Sequence, residues 1–89
     1  MGIRKSTRLS QVFITDKSVL SAEADFINPK DKTILEIGGG SGNLTEHIVV
    51  RSPKFLYIVE LDNRFAELLR HKFSGYGNVM VINVITNQR

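Results

Sequence analysis

Apolar and polar positions change period five times along the chain, and the segments between the changes predict six elements. From Asp16 the apolar residues Val19, Leu20, Ala24 and Ile27 fall at helical spacing, with Thr15 or Asp16 available as the N-cap and Asn28-Pro29 as the stop. Thr33 to Ile37 is a short run of buried-strand character, and Gly38-Gly39-Gly40-Ser41-Gly42 follows it without a spacer. Residues 43–51 read as a helix with Leu44 and Ile48 inward, ended by Pro53, and residues 55–61 read as a second strand. Asp62 then caps a helix whose Phe65, Leu68, Leu69 and Phe73 make an apolar stripe expected to be core. A third strand is predicted over 78–85, with too little alternation for a surface strand, so burial on both faces is expected.

The order is helix, strand, helix, strand, helix, strand. Strands joined by helical crossovers pair in parallel, and the crossovers are right-handed, which makes the chain α/β and one half of a doubly wound sheet. With 89 residues it is one domain at most, and a domain of that size keeps little stability in reserve. Only three strands are available, so an unpaired apolar edge is expected, with self-association through it. Cysteine is absent, which removes disulfides, thiol chemistry and thiolate metal sites; a reducing compartment is compatible. His47 and His71 lie on predicted helices without ligand-type neighbours, so no metal is expected. No apolar run reaches the ~20 residues of a membrane span.

Charge changes the picture at one place. Arg4, Lys5, Arg8 and Lys17 stand against Asp16 within the first 17 residues, and these carry all of the net +3. A basic arm ahead of a neutral body suits a polyanion, with nucleic acid the usual one, although a merely solvated terminus has the same composition. The expected division is therefore a basic arm at 1–15 and a half-domain at 16–89.

Candidate chemistry sits where the first strand turns. Gly38, Gly40 and Gly42 bring bare main chain and a helix start to the carboxyl end of that strand, where α/β folds bind ligands. Glu60 closes the second strand 20 residues beyond Gly40, a separation suited to a carboxylate that accepts hydrogen bonds from ribose hydroxyls. A dinucleotide fingerprint needs glycine at position 43, where Asn43 stands, and no lysine follows the glycines as a triphosphate-binding loop requires. Glu36, just before the turn, is a poor neighbour for pyrophosphate and a reasonable one for a cationic sulfonium, unless it is only a solvated strand-end charge. That balance favours S-adenosylmethionine over NAD. Tyr57 reads as strand packing and Asp62 as a cap rather than a ligand contact.

Three segments together, Gln11-Val12-Phe13-Ile14-Thr15-Asp16, then Glu36-Ile37-Gly38-Gly39-Gly40-Ser41-Gly42-Asn43-Leu44-Thr45, then Glu60-Leu61-Asp62, closely resemble the ribosomal RNA adenine dimethyltransferases. The family pattern is Gly-Gln-x-Phe-Leu-x-Asp, Glu-Ile-Gly-x-Gly-x-Gly-x-Leu-Thr and Glu-x-Asp. Related macrolide-resistance RNA methyltransferases and mitochondrial transcription factors share it. The resemblance spans residues 8–83 and implies a class I methyltransferase-like Rossmann fold. It further implies an enzyme that moves methyl groups from S-adenosylmethionine to N6 of adenosines in small-subunit ribosomal RNA. By position, Val12 and Ile14 would touch the cofactor from the N-terminal side, Gly38 and Gly40 would line its methionine end, Glu60 would hold its ribose, and Arg4, Lys5 and Arg8 would face RNA. The family acts in the cytoplasm, with mitochondrial or nucleolar members as alternatives.

The departures from the pattern are specific. Val12 stands where the family carries Asn or His. Val84 and Ile85 stand where its Gly-Asp would read adenine. Its Asn-Leu-Pro-Tyr catalytic motif has no counterpart, since Pro29 and Pro53 are both followed by lysine. The expectation is a truncated, inactive N-terminal part with no catalytic residue of its own. A non-enzymatic fragment that binds RNA or a partner through the basic arm, and more weakly an NAD-binding dehydrogenase domain, are the other readings.

Overall fold

The computed structural model describes residues 16–85. Six elements alternate: α1 (Lys17–Ile27), β1 (Thr33–Ile37), α2 (Asn43–Val49), β2 (Phe55–Glu60), α3 (Asn63–Lys72) and β3 (Val79–Asn83). The strands form one parallel sheet in the order β1-β2-β3, with Leu35 beside Tyr57 beside Met80 and Ile37 beside Val59 beside Ile82.

Local chemistry fixes the ends. Asp16 caps α1, its carboxylate accepting from the main-chain N–H of Ser18 at 2.9 Å and of Val19 at 3.4 Å. Asn28 closes the same helix in the left-handed region, a role its short amide side chain tolerates. Asp62 caps α3 by accepting from Arg64 N–H at 2.8 Å. The second helix stops at Val49, short of the predicted 51, because Arg51 turns back on it. Its guanidinium donates to the carbonyl of His47 at 2.6 Å, to Asp25 at 2.9 Å and to the Ser21 hydroxyl at 2.9 Å, tying α2 to α1.

One core joins the helices to one face of the sheet. Ala24 of α1, Ile48 and Val49 of α2, and Leu69 and Phe73 near the end of α3 pack on Leu56 and Ile58 of β2, with Ile34, Val79 and Val81 completing the floor. The opposite face, Leu35, Ile37, Met80 and Ile82, carries none of the described helices; Leu35 is 61% exposed and Ile37 70%. The expected burial of β3 on both faces is therefore corrected, and the described residues cover β1 on one face only. Their near-continuous apolar runs have the composition of strands covered on both faces, but α1, α2 and α3 all share the single core below. β3 is also shorter than predicted, ending at Asn83 and leaving Val84 and Ile85 exposed outside it.

Two helix positions need correction as well. In α3 the seated face runs through Ala66 and Leu69 to Phe73, so Leu68 lies to one side of it and is 44% exposed. Val19 is likewise outside the seated face of α1, which runs through Leu20 and Ala24. Tyr57, on the uncovered face beside Leu35 and Met80, packs against Phe55 with ring centroids 4.7 Å apart and planes tilted by 41°. His47 is half-buried and His71 exposed, and no cluster of metal-ligating side chains occurs among the described residues.

Candidate functional site at the glycine turn

The carboxyl ends of β1 and β2 lie side by side, and the glycine turn leaves from the first while Glu60 ends the second. Gly38 N–H donates to the carbonyl of Val59 at 2.7 Å, which extends the pairing by one residue before the chain lifts away. Gly38, Gly40 and Gly42 all have positive φ, at 72°, 58° and 87°. Gly39 is held differently: a Cβ there would lie 2.8 Å from Ile58 Cγ2 and 3.0 Å from Leu69 Cδ1, so the main chain rests directly on the core. At Gly38 a Cβ would meet no atom of the described residues within 4 Å, so none of them covers that stretch of main chain.

Glu60 is 6% exposed and its carboxylate is turned toward the turn. One oxygen accepts from Gly40 N–H at 3.1 Å and the other from Asp62 N–H at 3.0 Å. An ionised carboxylate has about four lone-pair directions, so two acceptor positions are left that the hydrogen bonds among the described residues do not fill. The main chain of Glu60 is fixed in turn, its carbonyl accepting from Asn83 Nδ2 and Val84 N–H, each at 3.0 Å. Beyond it an open cleft of about 450 Å³ is lined by Leu61, Asp62, Asn63, Arg64 and Ile85.

Glu36 is not a solvated charge at a strand end. It points into the helix-covered layer and accepts from the buried Thr45 hydroxyl at 2.8 Å. Burial pushes its carboxyl up to about 6; the Thr45 hydroxyl opposes this, while the charges of Glu23 and Glu60 add to it. Because the folded value lies above the ordinary one, the contribution of Glu36 to stability is fully present below pH 4.5 and is lost as pH rises through 6, by up to about 2 kcal/mol. Asp16, lowered by the Ser18 hydroxyl and then by the N–H groups it caps, and Asp62, lowered by the Arg64 guanidinium and then by the N–H it caps, act in the opposite sense and lose their contribution as pH falls into the carboxylate range. Replacing Glu36 with Gln keeps the acceptor for Thr45 and removes the buried charge. Urea unfolding between pH 4.5 and 7.5 should show the variant more stable at pH 7 and flat across the window in which the parent declines; parallel slopes would remove Glu36 as the cause.

Of the residues singled out in the sequence, Gly38, Gly40 and Glu60 are brought together, with direct contact between the last two. Val12, Ile14, Arg4, Lys5 and Arg8 lie outside the described residues. Sequence reasoning missed the Thr45 hydroxyl under the turn and the Asp62 main chain as the second holder of Glu60. The Glu-x-Asp spacing held the signal for the latter, since a cap two residues after a carboxylate presents its own N–H to it.

The geometry is matched by comparison with known proteins. The ribosomal RNA adenine dimethylase family profile matches residues 2–84. A ribosomal RNA small subunit methyltransferase A from Sulfurihydrogenibium is 43% identical over 81 residues, covering 90% of this chain and 31% of the relative. Thus the chain spans about a third of the length of the curated relatives it matches. Among solved structures, the 23S rRNA methyltransferase ErmE superposes with a TM-score of 0.73 at 32% identity, covering 81% of this chain and 30% of that one. A dimethyladenosine transferase from Plasmodium falciparum shares the fold with a TM-score of 0.64 at 22% identity, covering 86% of this chain and 29% of that one. Parallel strands, one-sided helices and an acid closed onto a glycine turn are thus the opening part of a class I methyltransferase, Rossmann-like fold. With its sequence matched almost from end to end, the chain belongs to the ribosomal RNA adenine dimethylase family.

Proposed function

We propose that these residues hold S-adenosylmethionine for N6-dimethylation of adenosines in small-subunit ribosomal RNA. The observation that carries the reading is the buried Glu60 carboxylate, aimed at the glycine turn by two main-chain donors and keeping two acceptor positions. A ribose presents two vicinal hydroxyls, and the bare main chain at Gly38 leaves room for the methionine end of the ligand. Glu36 and Glu60 give the pocket a negative field that suits a sulfonium and an α-ammonium better than a pyrophosphate. Val12 and Ile14 would close the pocket from the N-terminal side.

When bound, the cofactor supplies an already activated methyl group, so the protein's part is to bind it, orient it and keep water away. Arg4, Lys5 and Arg8 on the arm at 1–15 are assigned to RNA phosphates, and the target adenosine has to leave its stack to reach the pocket. None of the 89 residues is assigned to methyl transfer itself, because Val84 and Ile85 replace the adenine-reading carboxylate and the Asn-Leu-Pro-Tyr motif has no counterpart. We therefore assign cofactor binding to this stretch and expect it to transfer no methyl group unaided. On this reading the compartment is one where ribosomal subunits are assembled, the cytoplasm first, with the mitochondrion or nucleolus as alternatives.

Titration calorimetry with S-adenosylhomocysteine and NAD tests the assignment. Binding of the first and not the second is expected; tight NAD binding would replace the methyltransferase reading by the dehydrogenase one, and binding of neither would favour a fragment that acts through its basic arm. The apolar face of Leu35, Ile37, Met80 and Ile82 supports self-association of the 89-residue chain, which sedimentation at micromolar concentration should reveal; a stable dilute monomer would contradict it.

A further inference from the structure

The glycine turn is held from two sides, and only one of them is the acid of β2. On the other side, Lys72 in the last turn of α3 reaches across 31 residues of sequence and donates its Nζ to the carbonyl of Ser41 at 3.1 Å. The same ammonium pairs with Glu46 of α2 at 2.7 Å and lies 5.9 Å from the centroid of the Phe73 ring. Its stem runs along the turn, so that a Cβ on Gly42 would lie 3.3 Å from Lys72 Cδ. The side chain is 31% exposed, its charge is shared between a carboxylate and a peptide carbonyl, and its aliphatic part fills the space beside Gly42.

We infer that Lys72 is a positioning residue for the cofactor loop, fixing the Ser41 peptide so that the Gly38 to Gly42 main chain keeps the shape that receives the ligand. The inference rests on the proposed function of that loop. The physical argument concerns freedom of the main chain. Three of the five loop residues have positive φ, a region that glycine enters and leaves easily, so the loop has low intrinsic stiffness. Glu60 restrains it at Gly40 N–H, and the carbonyl of the next residue is restrained by Lys72. The Gly39–Gly40 and Ser41–Gly42 peptide groups, clamped from β2 and α3 on either side of the one between them, leave the loop little room to rotate. The bond to the Ser41 carbonyl is made to the loop itself, whereas Glu46 lies on α2 beyond the loop. The loop contact, not the pair with Glu46, therefore carries the effect.

The test uses the 89-residue chain and three variants, Lys72→Met, Lys72→Arg and Glu46→Gln. Methionine keeps the stem and deletes the ammonium, arginine restores a donor, and the Glu46 variant removes the ion pair while leaving the Ser41 contact in place. On the free chain, hydrogen exchange at the Gly40 and Gly42 amides should accelerate about tenfold in Lys72→Met relative to amides of β2, and stay within about threefold of the parent in the other two. Unchanged exchange in Lys72→Met, or an equal acceleration in Glu46→Gln, overturns the inference, and neither outcome depends on what the loop binds. By calorimetry, at a temperature where all variants are more than 95% folded, Kd for S-adenosylhomocysteine should rise about five- to twentyfold in Lys72→Met and recover in Lys72→Arg. A role confined to stability would shift Tm and leave Kd and local exchange unmoved. Failure of the parent chain to bind the ligand would count against the proposed function alone, while the exchange experiment would still decide the role of Lys72.

Discussion

Replacing Glu60 with alanine should abolish S-adenosylhomocysteine binding, with a loss of about 100-fold or more, and should also cost stability. Two charge-assisted bonds from ribose hydroxyls to one carboxylate are together worth about 3–4 kcal/mol, which is two to three decades in Kd. The stability cost has a separate origin. Gly40 N–H and Asp62 N–H both donate to this side chain, at 3.1 Å and 3.0 Å, and truncation strands both donors in a site that is 6% exposed. An unmet buried donor costs about 1–3 kcal/mol. Glu60→Gln separates the two effects, because it keeps one oxygen but turns an amide NH₂ toward a main-chain N–H. The expected order in both affinity and urea midpoint is parent, then Gln, then Ala, read by calorimetry and by circular dichroism on the same samples. A Gln variant that binds within threefold of the parent would remove the carboxylate from the site.

The largest effect expected on folding alone comes from Gly39→Ala. A single added methyl group would have to sit 2.8 Å from Ile58 Cγ2 and 3.0 Å from Leu69 Cδ1, and both of those side chains are fully buried in the shared core. Neither can move into empty space, so overpacking of about 2–3 kcal/mol is expected. For a chain of this size that corresponds to a fall in Tm of more than about 8 °C. The matched control is Gly77→Ala, where an added Cβ meets no atom within 4 Å and a change within about 0.5 kcal/mol is expected. Thermal unfolding of the pair decides it; equal Tm values would mean that Gly39 does not rest on the core as described.

Much of this was written in local chemistry. Asp16 and Asp62 announce their helices because a carboxylate before an apolar periodic run finds free N–H groups there, and both do so. The strand, glycine turn, strand and acid succession is legible for the same reason: each part is a backbone requirement met by one or two residue types. What could not be read is which side of the sheet the helices choose. Thr-Ile-Leu-Glu-Ile and Val-Met-Val-Ile-Asn have the same composition whether one face is covered or two, so Leu35 and Met80 could not be told from Ile34 and Val81. Leu68 was misplaced for a related reason, since a stripe at i, i+3 and i+4 is wider than the line of contact actually used through Ala66, Leu69 and Phe73. Within the site, Glu60 and the glycines stand at a familiar separation, but Thr45 beneath Glu36 and Lys72 against Ser41 are pairings that only the folded chain creates.

The strand order has a mechanical consequence for the two halves of the site. β2 alone among the described strands has hydrogen-bonded neighbours on both flanks, so the acid at its end stands on the stiffest part of the molecule. The glycine turn leaves from β1, an outer strand, and inherits its tendency to fray. A nucleoside bridging the two would splice the margin of the sheet to its middle, and the amides of Thr33–Ile37 are where that tightening should be felt most.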